Sequence, residues 1–141
     1  MSKAVLLADD EHTFRETLAA FLRDEGISVN AVSNGADAIQ AITEQPYPVA
    51  ILDIRMPGAD GISVLRETMR ISPETRVIMI TACGTAQIAE EAVNLGACDY
   101  LAKPLKFEDL LTKVKRHLRH RKIESLGINI DKPGRKKQPG R

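Results

Sequence analysis

The sequence predicts an α/β domain, a doubly wound five-stranded parallel sheet with helices on both faces. Three observations carry that expectation. Short apolar runs alternate with longer amphipathic stretches through five rounds. Several of the short runs are apolar almost without interruption, as strands covered on both faces must be. Gly or Pro closes most of the amphipathic stretches, marking the return to the next strand.

The strand candidates are residues 4–8, 27–32, 49–52, 77–80 and 98–101. The first, third and fourth are nearly continuous apolar runs, whereas the second mixes in Ser28 and Asn30, which suits an edge. Between the strands, Phe14, Leu18, Phe21 and Leu22 recur at helical spacing, and Gly26 follows as a stop. Ala38, Ile39 and Ile42 mark a second helix, begun through Ser33-Asn34 and closed before Pro46. Val64, Leu65, Thr68 and Met69 mark a third, which ends before Pro73; Ile88, Ala92 and Leu95 mark a fourth, closed by Gly96. The last is the most regular, with Phe107, Leu110, Leu111, Val114 and Leu118 keeping one face for three turns. Right-handed crossovers between parallel strands then distribute these helices over both faces.

A chain of 141 residues fits one domain and a short tail. The domain is expected at residues 1–120. Residues 121–141 read as a basic tail or linker without fixed structure, because the periodicity fails from about Arg121 and DKPGRKKQPGR follows. The net charge of +1 hides an asymmetry: residues 1–112 hold 9 Lys/Arg against 17 Asp/Glu, and residues 113–141 hold 11 against 2. Trp is absent and aromatics are scarce, so the core must be aliphatic. No apolar run approaches the roughly 18 residues that cross a bilayer, and the start, MSKAVLLADDEHTF, turns acidic too soon for a signal peptide. Cys83 and Cys98 form no CxxC pair and read as spectator or buried thiols of a reducing cytoplasm. His12, His117 and His120 lack metal-ligand spacing and read as surface residues.

Ligands of open parallel sheets sit beyond the carboxyl ends of the strands. There the first run delivers Asp9-Asp10-Glu11, the third Asp53, the fourth Thr81, and the fifth Lys103-Pro104. At a separation of about 6 Å and an effective dielectric near 20, each pair of carboxylates repels by roughly 3 kcal/mol. Protons or a cation must relieve that. Oxygen donors without His or Cys favour a hard divalent ion, and Mg2+ above others. A preference of acids for a helix N-terminus would explain Asp9, Asp10 and Glu11 alone. It does not explain Asp53 and Lys103 on the same rim.

ADDE after the first strand, ILDIRMPGADG around Asp53, TA at 81–82 and DYLAKP at 99–104 resemble the marks of the response-regulator receiver domain of two-component signalling. The resemblance covers residues 3 to about 120, with a flavour closest to receivers of nitrogen-regulation-type transcriptional activators. It implies the flavodoxin-like strand order 2-1-3-4-5, an order the family is known for. It implies Asp53 as phosphoacceptor, assisted by Lys103, Thr81 and the backbone amide of Ala82. Mg2+ would be held by Asp10, Asp53 and the backbone carbonyl of Arg55, with Asp9 acting through a water. No other cofactor is implied. Thr81 and Tyr100 would form the switch, and Lys103-Pro104 resembles the cis peptide with which the family aims its lysine. Pro57, Gly58 and Gly61 suit the turn and helix start behind the acceptor.

The implied protein is not an enzyme in the ordinary sense; it assists only its own phosphorylation and dephosphorylation. The donor would be a sensor histidine kinase or a histidine phosphotransfer protein. The output would be a target protein or a second copy, bound through the fourth helix, fifth strand and fifth helix (residues 86–95, 98–101 and 107–118). A cytoplasmic location is expected, with no membrane partner and no nucleic acid bound by this chain alone. A single-domain regulator is favoured over the receiver part of a longer DNA-binding regulator. An aspartate-nucleophile phosphohydrolase of the haloacid-dehalogenase kind needs an acid two residues after its nucleophile, where this chain has Arg55. A flavodoxin-like electron carrier would need a phosphate loop where Asp9-Asp10-Glu11 would repel a bare phosphate. Because apolar periodicity ends near His120, deleting residues 125–141 is expected to cost under about 1 kcal/mol in urea denaturation and to leave phosphorylation unchanged.

Overall fold

The apolar runs form five strands, β1 (Val5–Ala8), β2 (Val29–Val32), β3 (Val49–Asp53), β4 (Arg76–Thr81) and β5 (Asp99–Ala102). The amphipathic stretches form α1 (His12–Asp24), α2 (Gly35–Glu44), α3 (Gly61–Ile71), α4 (Ala86–Asn94) and α5 (Phe107–Ser125). The computed structural model describes residues 5–58, 60–82 and 85–125, with side chains as far as residue 119. The strands are all parallel in the order β2-β1-β3-β4-β5, the doubly wound arrangement expected from the sequence. Strand order reverses between β1 and β3, so the crevice of the sheet opens beyond Ala8 and Asp53.

Alternation along the strands divides the core in two. Leu6, Ala8, Ala50, Leu52, Val77 and Met79 face one side, under Ala38, Ile42, Val64, Leu65 and Ala92 of α2, α3 and α4. Val5, Leu7, Val49, Ile51, Ile78 and Ile80 face the other, under Leu18, Leu22, Leu110 and Val114 of α1 and α5. Each fully buried Leu or Ile contributes about 1.5–3 kcal/mol of hydrophobic stabilisation. The buried helical residues fall on the faces that the spacing marks. The outer strands β2 and β5 are only partly covered, as the Ser28 and Asn30 pattern indicates for β2.

Local chemistry sets the helix ends. The side chains of Asn34, Asp60 and Thr85 accept from the backbone N–H three residues on, capping α2, α3 and α4. Gly26 ends the α1 turn at φ +88°, a conformation that a side chain at this position would oppose. α5 continues as helix to Ser125, past the last regular apolar position at Leu118. Residues 126–141, most of the basic segment read as a tail, lie outside the described residues, as does Cys83. Cys98 is exposed.

One histidine departs from the expectation. His12 is exposed, but His117 is 4% exposed rather than a surface residue; the side chain of His120 lies outside the described residues. Burial is tolerated because both ring nitrogens of His117 have partners. Arg76 Nε donates to Nδ1 at 3.0 Å, and Nε2 lies 2.6 Å from Asp99 Oδ2. Arg116 at 2.8 Å and Lys113 at 3.5 Å add two cations beside Asp99. Burial works against the Asp99 charge, but His117, Lys113 and Arg116 outweigh it and hold the carboxyl below its usual range. This cluster joins β4, β5 and α5 at the end of the sheet remote from the acidic crevice.

Gly61 begins α3 pressed against the end of β3, its N–H donating to the Ile54 carbonyl at 2.7 Å. A methyl group there would meet the Asp53 carbonyl oxygen and stand 2.5 Å from Ile54 Cα, backbone that cannot turn aside. Gly61→Ala is therefore expected to destabilise the fold by about 1–3 kcal/mol, measured by urea denaturation; an unchanged midpoint would contradict this close approach.

Candidate functional site

Parallel register aligns the strand ends. Ala8 pairs with Leu52, Asp53 with Ile80 and Thr81 with Ala102, so the residues that follow project from one rim. The ladders run one step further, with Asp9 N–H donating to Val32 O at 3.1 Å and Lys103 N–H to Thr81 O at 2.8 Å. The rim therefore gathers Asp9, Asp10 and Glu11 after β1, Asp53 at the end of β3, Thr81 and Ala82 at β4, and Lys103 after β5. The Lys103-Pro104 peptide is cis.

Lys103 is the centre of this group. Its Nζ lies 2.8 Å from Asp9 Oδ2, 3.2 Å from Asp53 Oδ2 and 3.3 Å from Glu11 Oε1. Asp9 is 0% exposed and Asp53 4%, so the ammonium faces two carboxylates that water scarcely reaches. Asp9 Oδ1 accepts from Glu11 N–H at 2.8 Å, while Oδ2 has Lys103 as its ion partner without a donor at hydrogen-bond angle. Asp53 Oδ1 accepts from Arg55 N–H at 3.1 Å. Arg15 Nη1 donates to the Asp9 carbonyl at 3.0 Å, fixing the turn into α1.

Burial, and then the neighbouring Asp9 charge, push the Asp53 carboxyl above its ordinary value. The Arg55 N–H and Lys103 oppose that rise without cancelling it. Burial disfavours the Lys103 charge, yet Asp9 and Asp53 overcome it and raise its pKa, so the lysine stays protonated.

Asp9, Asp10 and Asp53 each bring a carboxylate oxygen within 4.8 Å of the other two. At such a separation two ionised carboxylates repel by about 3 kcal/mol or more at an effective dielectric of 20. Asp10 is exposed, so the cluster opens to solvent on that side. An all-oxygen, doubly buried and partly open donor set fits a hard divalent cation that retains some of its water. From Asp10 a groove of about 730 Å3 runs past Arg55 and Met56 to Ile62 and Arg66 of α3 and Ile88 of α4. Thr81 is fully buried beneath the rim, and Ala82 is exposed beside Lys103. Tyr100 packs partly into the core, and its hydroxyl is buried with no hydrogen-bond partner. Burial raises its pKa.

The response regulator receiver domain model matches residues 5–115. The chain belongs to this receiver family. Its relatives include an NtrX-like response regulator of Rickettsia typhi, 35% identical over 128 residues, 89% of this chain and 27% of that protein. The chain thus spans about a quarter of that relative's length. A CheY-like receiver domain protein from Methanospirillum hungatei superposes with a TM-score of 0.84 at 26% identity, covering 88% of this chain and 99% of that one. A response regulator from Burkholderia pseudomallei, whose structure holds a phosphorylated aspartic acid and a calcium ion, gives 0.76 at 26% identity, covering 88% and 73%. As a receiver the chain is a module of two-component signal transduction, and receivers carry an acidic cation pocket. Among the described residues no helix is long and apolar enough to cross a membrane.

The motif reading finds the residues at the rim but not two of their contacts. Phe14 stands under Lys103 and Arg15 on the Asp9 carbonyl; both lie on the first turn of α1, where only helical phase signals closeness to the rim.

The raised Asp53 value fixes a pH dependence. Native Asp53 keeps a proton above pH 3.8, the ordinary value at which the unfolded chain releases it. Wild-type stability in metal-free solution should therefore fall as pH rises from there through the raised value. Asp53→Asn lacks that loss, so its stability relative to wild type should grow across the window and then level off. Urea denaturation of both proteins from about pH 4 to 7 checks this; identical pH slopes would contradict it.

Proposed function

We propose that this receiver accepts a phosphoryl group on Asp53 from a phosphohistidine, with Mg2+, and thereby switches a protein-binding face. The observation that carries the reading is the meeting of Asp9, Asp10, Asp53 and Lys103 at the point where strand order reverses. An Asp53 oxygen attacks phosphorus in line as the bond to the donor imidazole nitrogen breaks, and an acyl phosphate forms. Asp10, Asp53 and the Arg55 carbonyl would hold Mg2+, with Asp9 acting through a water. Magnesium, when bound, supplies positive charge against the phosphoryl oxygens. Lys103 leaves its carboxylates for a phosphoryl oxygen, and the Thr81 hydroxyl and Ala82 N–H take the others. The phosphorylated aspartic acid of the Burkholderia relative supports this assignment.

Movement of Thr81 towards the phosphoryl group vacates space at the end of β4. Tyr100 stands on the neighbouring strand, paired with Met79, with its hydroxyl already buried and unpartnered. Its ring is placed to repack when Thr81 moves. The face that feels both changes comprises α4, β5 and α5, and it includes Val93, 56% exposed. A free energy of about 1–3 kcal/mol suffices for such coupling. The face would serve a target protein or a second copy, and the same mechanism would serve a further domain of a longer regulator. The donor is a sensor histidine kinase or histidine phosphotransfer protein, and a cytoplasmic location goes with it. The receiver occupies residues 1–120 in this reading, and 121–141, whose first five residues continue α5, form a basic tail or linker. The chain is a phosphoacceptor, acting on no substrate but itself.

Asp53→Asn is expected to abolish labelling by acetyl phosphate in the presence of Mg2+, read by intact-protein mass. Undiminished labelling would place the acceptor elsewhere. Thr81→Ala should still bind beryllofluoride, a phosphoryl mimic, yet lose the NMR shifts that wild type shows at α4 and Tyr100. Shifts confined to the rim in wild type would refute the coupling.

A further inference from the structure

All three phenylalanines of the chain gather behind Lys103. Phe14 of α1 meets Phe107 of α5 edge to face, with centroids 5.7 Å apart at 80°. Phe107 leans on Phe21, 5.5 Å away at 51°. The stack fixes the Phe14 ring, and Lys103 Nζ lies 4.1 Å from its centroid. The ammonium thus has carboxylates at 2.8, 3.2 and 3.3 Å and an aromatic face as a further neighbour.

These neighbours behave differently when the site is loaded. In the phosphoacceptor reading, on which this inference rests, Asp9 and Asp53 turn to the cation and Asp53 becomes an ester-like acyl phosphate. Both then cease to be anionic anchors for Lys103 before it reaches a phosphoryl oxygen, and the one carboxylate left to it, Glu11, is exposed. A pocket of about 340 Å3 beside the lysine, bounded by Glu11, Ala82, Pro104 and Leu105, gives a flexible four-carbon side chain room to turn aside. The Phe14 ring also bounds that pocket. It attracts the ammonium through its quadrupole, competes for none of its N–H donors, and cannot be taken up by a metal ion. Core packing alone would be met by an aliphatic residue at position 14, since the surrounding cluster is largely Leu, Ile and Val.

We propose that Phe14 is a positioning residue for Lys103, holding the ammonium over its ring at the rim while the carboxylates exchange partners.

The test compares wild type, Phe14→Leu and Phe14→Tyr in the full chain, titrating beryllofluoride at saturating Mg2+ by NMR. Phe14→Leu should weaken beryllofluoride about fivefold, while Phe14→Tyr, which keeps the ring, stays within about twofold of wild type. Mg2+ affinity without beryllofluoride should be alike in all three. The ring-current shift of the Lys103 ε-methylene should vanish in the Leu variant and persist in the Tyr variant. If Phe14→Leu does not fold, Phe14→Met, adaptable in irregular cores, supplies the same comparison and is read the same way. Wild-type affinity in the aliphatic variant, or equal weakening in the aliphatic and Tyr variants, overturns the proposal while leaving the phosphoacceptor reading intact. Failure of wild type itself to bind beryllofluoride overturns that reading and this inference with it.

Discussion

Lys103 holds its ammonium between two carboxylates that have almost no access to water, Asp9 at 2.8 Å and Asp53 at 3.2 Å. Without that cation, two buried acids could not both ionise so close together, and one would keep its proton. Even with it, burial and Asp9 leave Asp53 above its ordinary value, so relief is incomplete. The site therefore retains an electrostatic demand that a divalent cation can meet. In the proposed phosphoacceptor reading, a carboxylate that must be ionised at neutral pH is made sensitive to the arrival of positive charge, and the same lysine that moderates the repulsion can serve an incoming anion.

The sheet exists, in effect, to hold those charges in register. Parallel strands end at one level, and a single ladder step beyond β1 and β5 brings Asp9 and Lys103 to the rim. Gly61 lets α3 begin directly against the backbone of Asp53 and Ile54, leaving Asp53 little freedom. At the opposite end, Asp99 with His117, Arg76, Lys113 and Arg116 fastens α5 to β4 and β5. β5 and α5, part of the proposed output face, are thus anchored at their base.

Element identity was legible because apolar periodicity is a local property, and here each run has the period of the element it forms. Boundaries were less so. β2 begins at Val29 rather than residue 27, and β4 takes in Arg76 and Thr81, because a strand ends where its ladder bonds end and not where its apolar run does. The rim residues could be read from their places at strand ends, and the four motifs sharpened that reading into a family. His117 could not be read correctly: its burial depends on Arg76, 41 residues away, and Asp99, 18 away. Phe14 was visible as part of an apolar face, but its place under Lys103 arises only when α1 and α5 pack together.

The chain has no Trp and only two Tyr, which gives the buried hydroxyl of Tyr100 an optical consequence. Tyr47 is fixed in the core, its hydroxyl accepting from Asn30 Nδ2 at 2.8 Å at the far side of the sheet, under β2. Tyr100 is the other phenol, on β5 in the proposed switch and without a hydrogen bond to lose. Phenol absorption and emission respond to whether the hydroxyl meets water, a protein acceptor or neither. A change in the near-ultraviolet spectrum of this receiver on activation would accordingly come from one ring, and the unlabelled protein carries its own reporter of the state of β5.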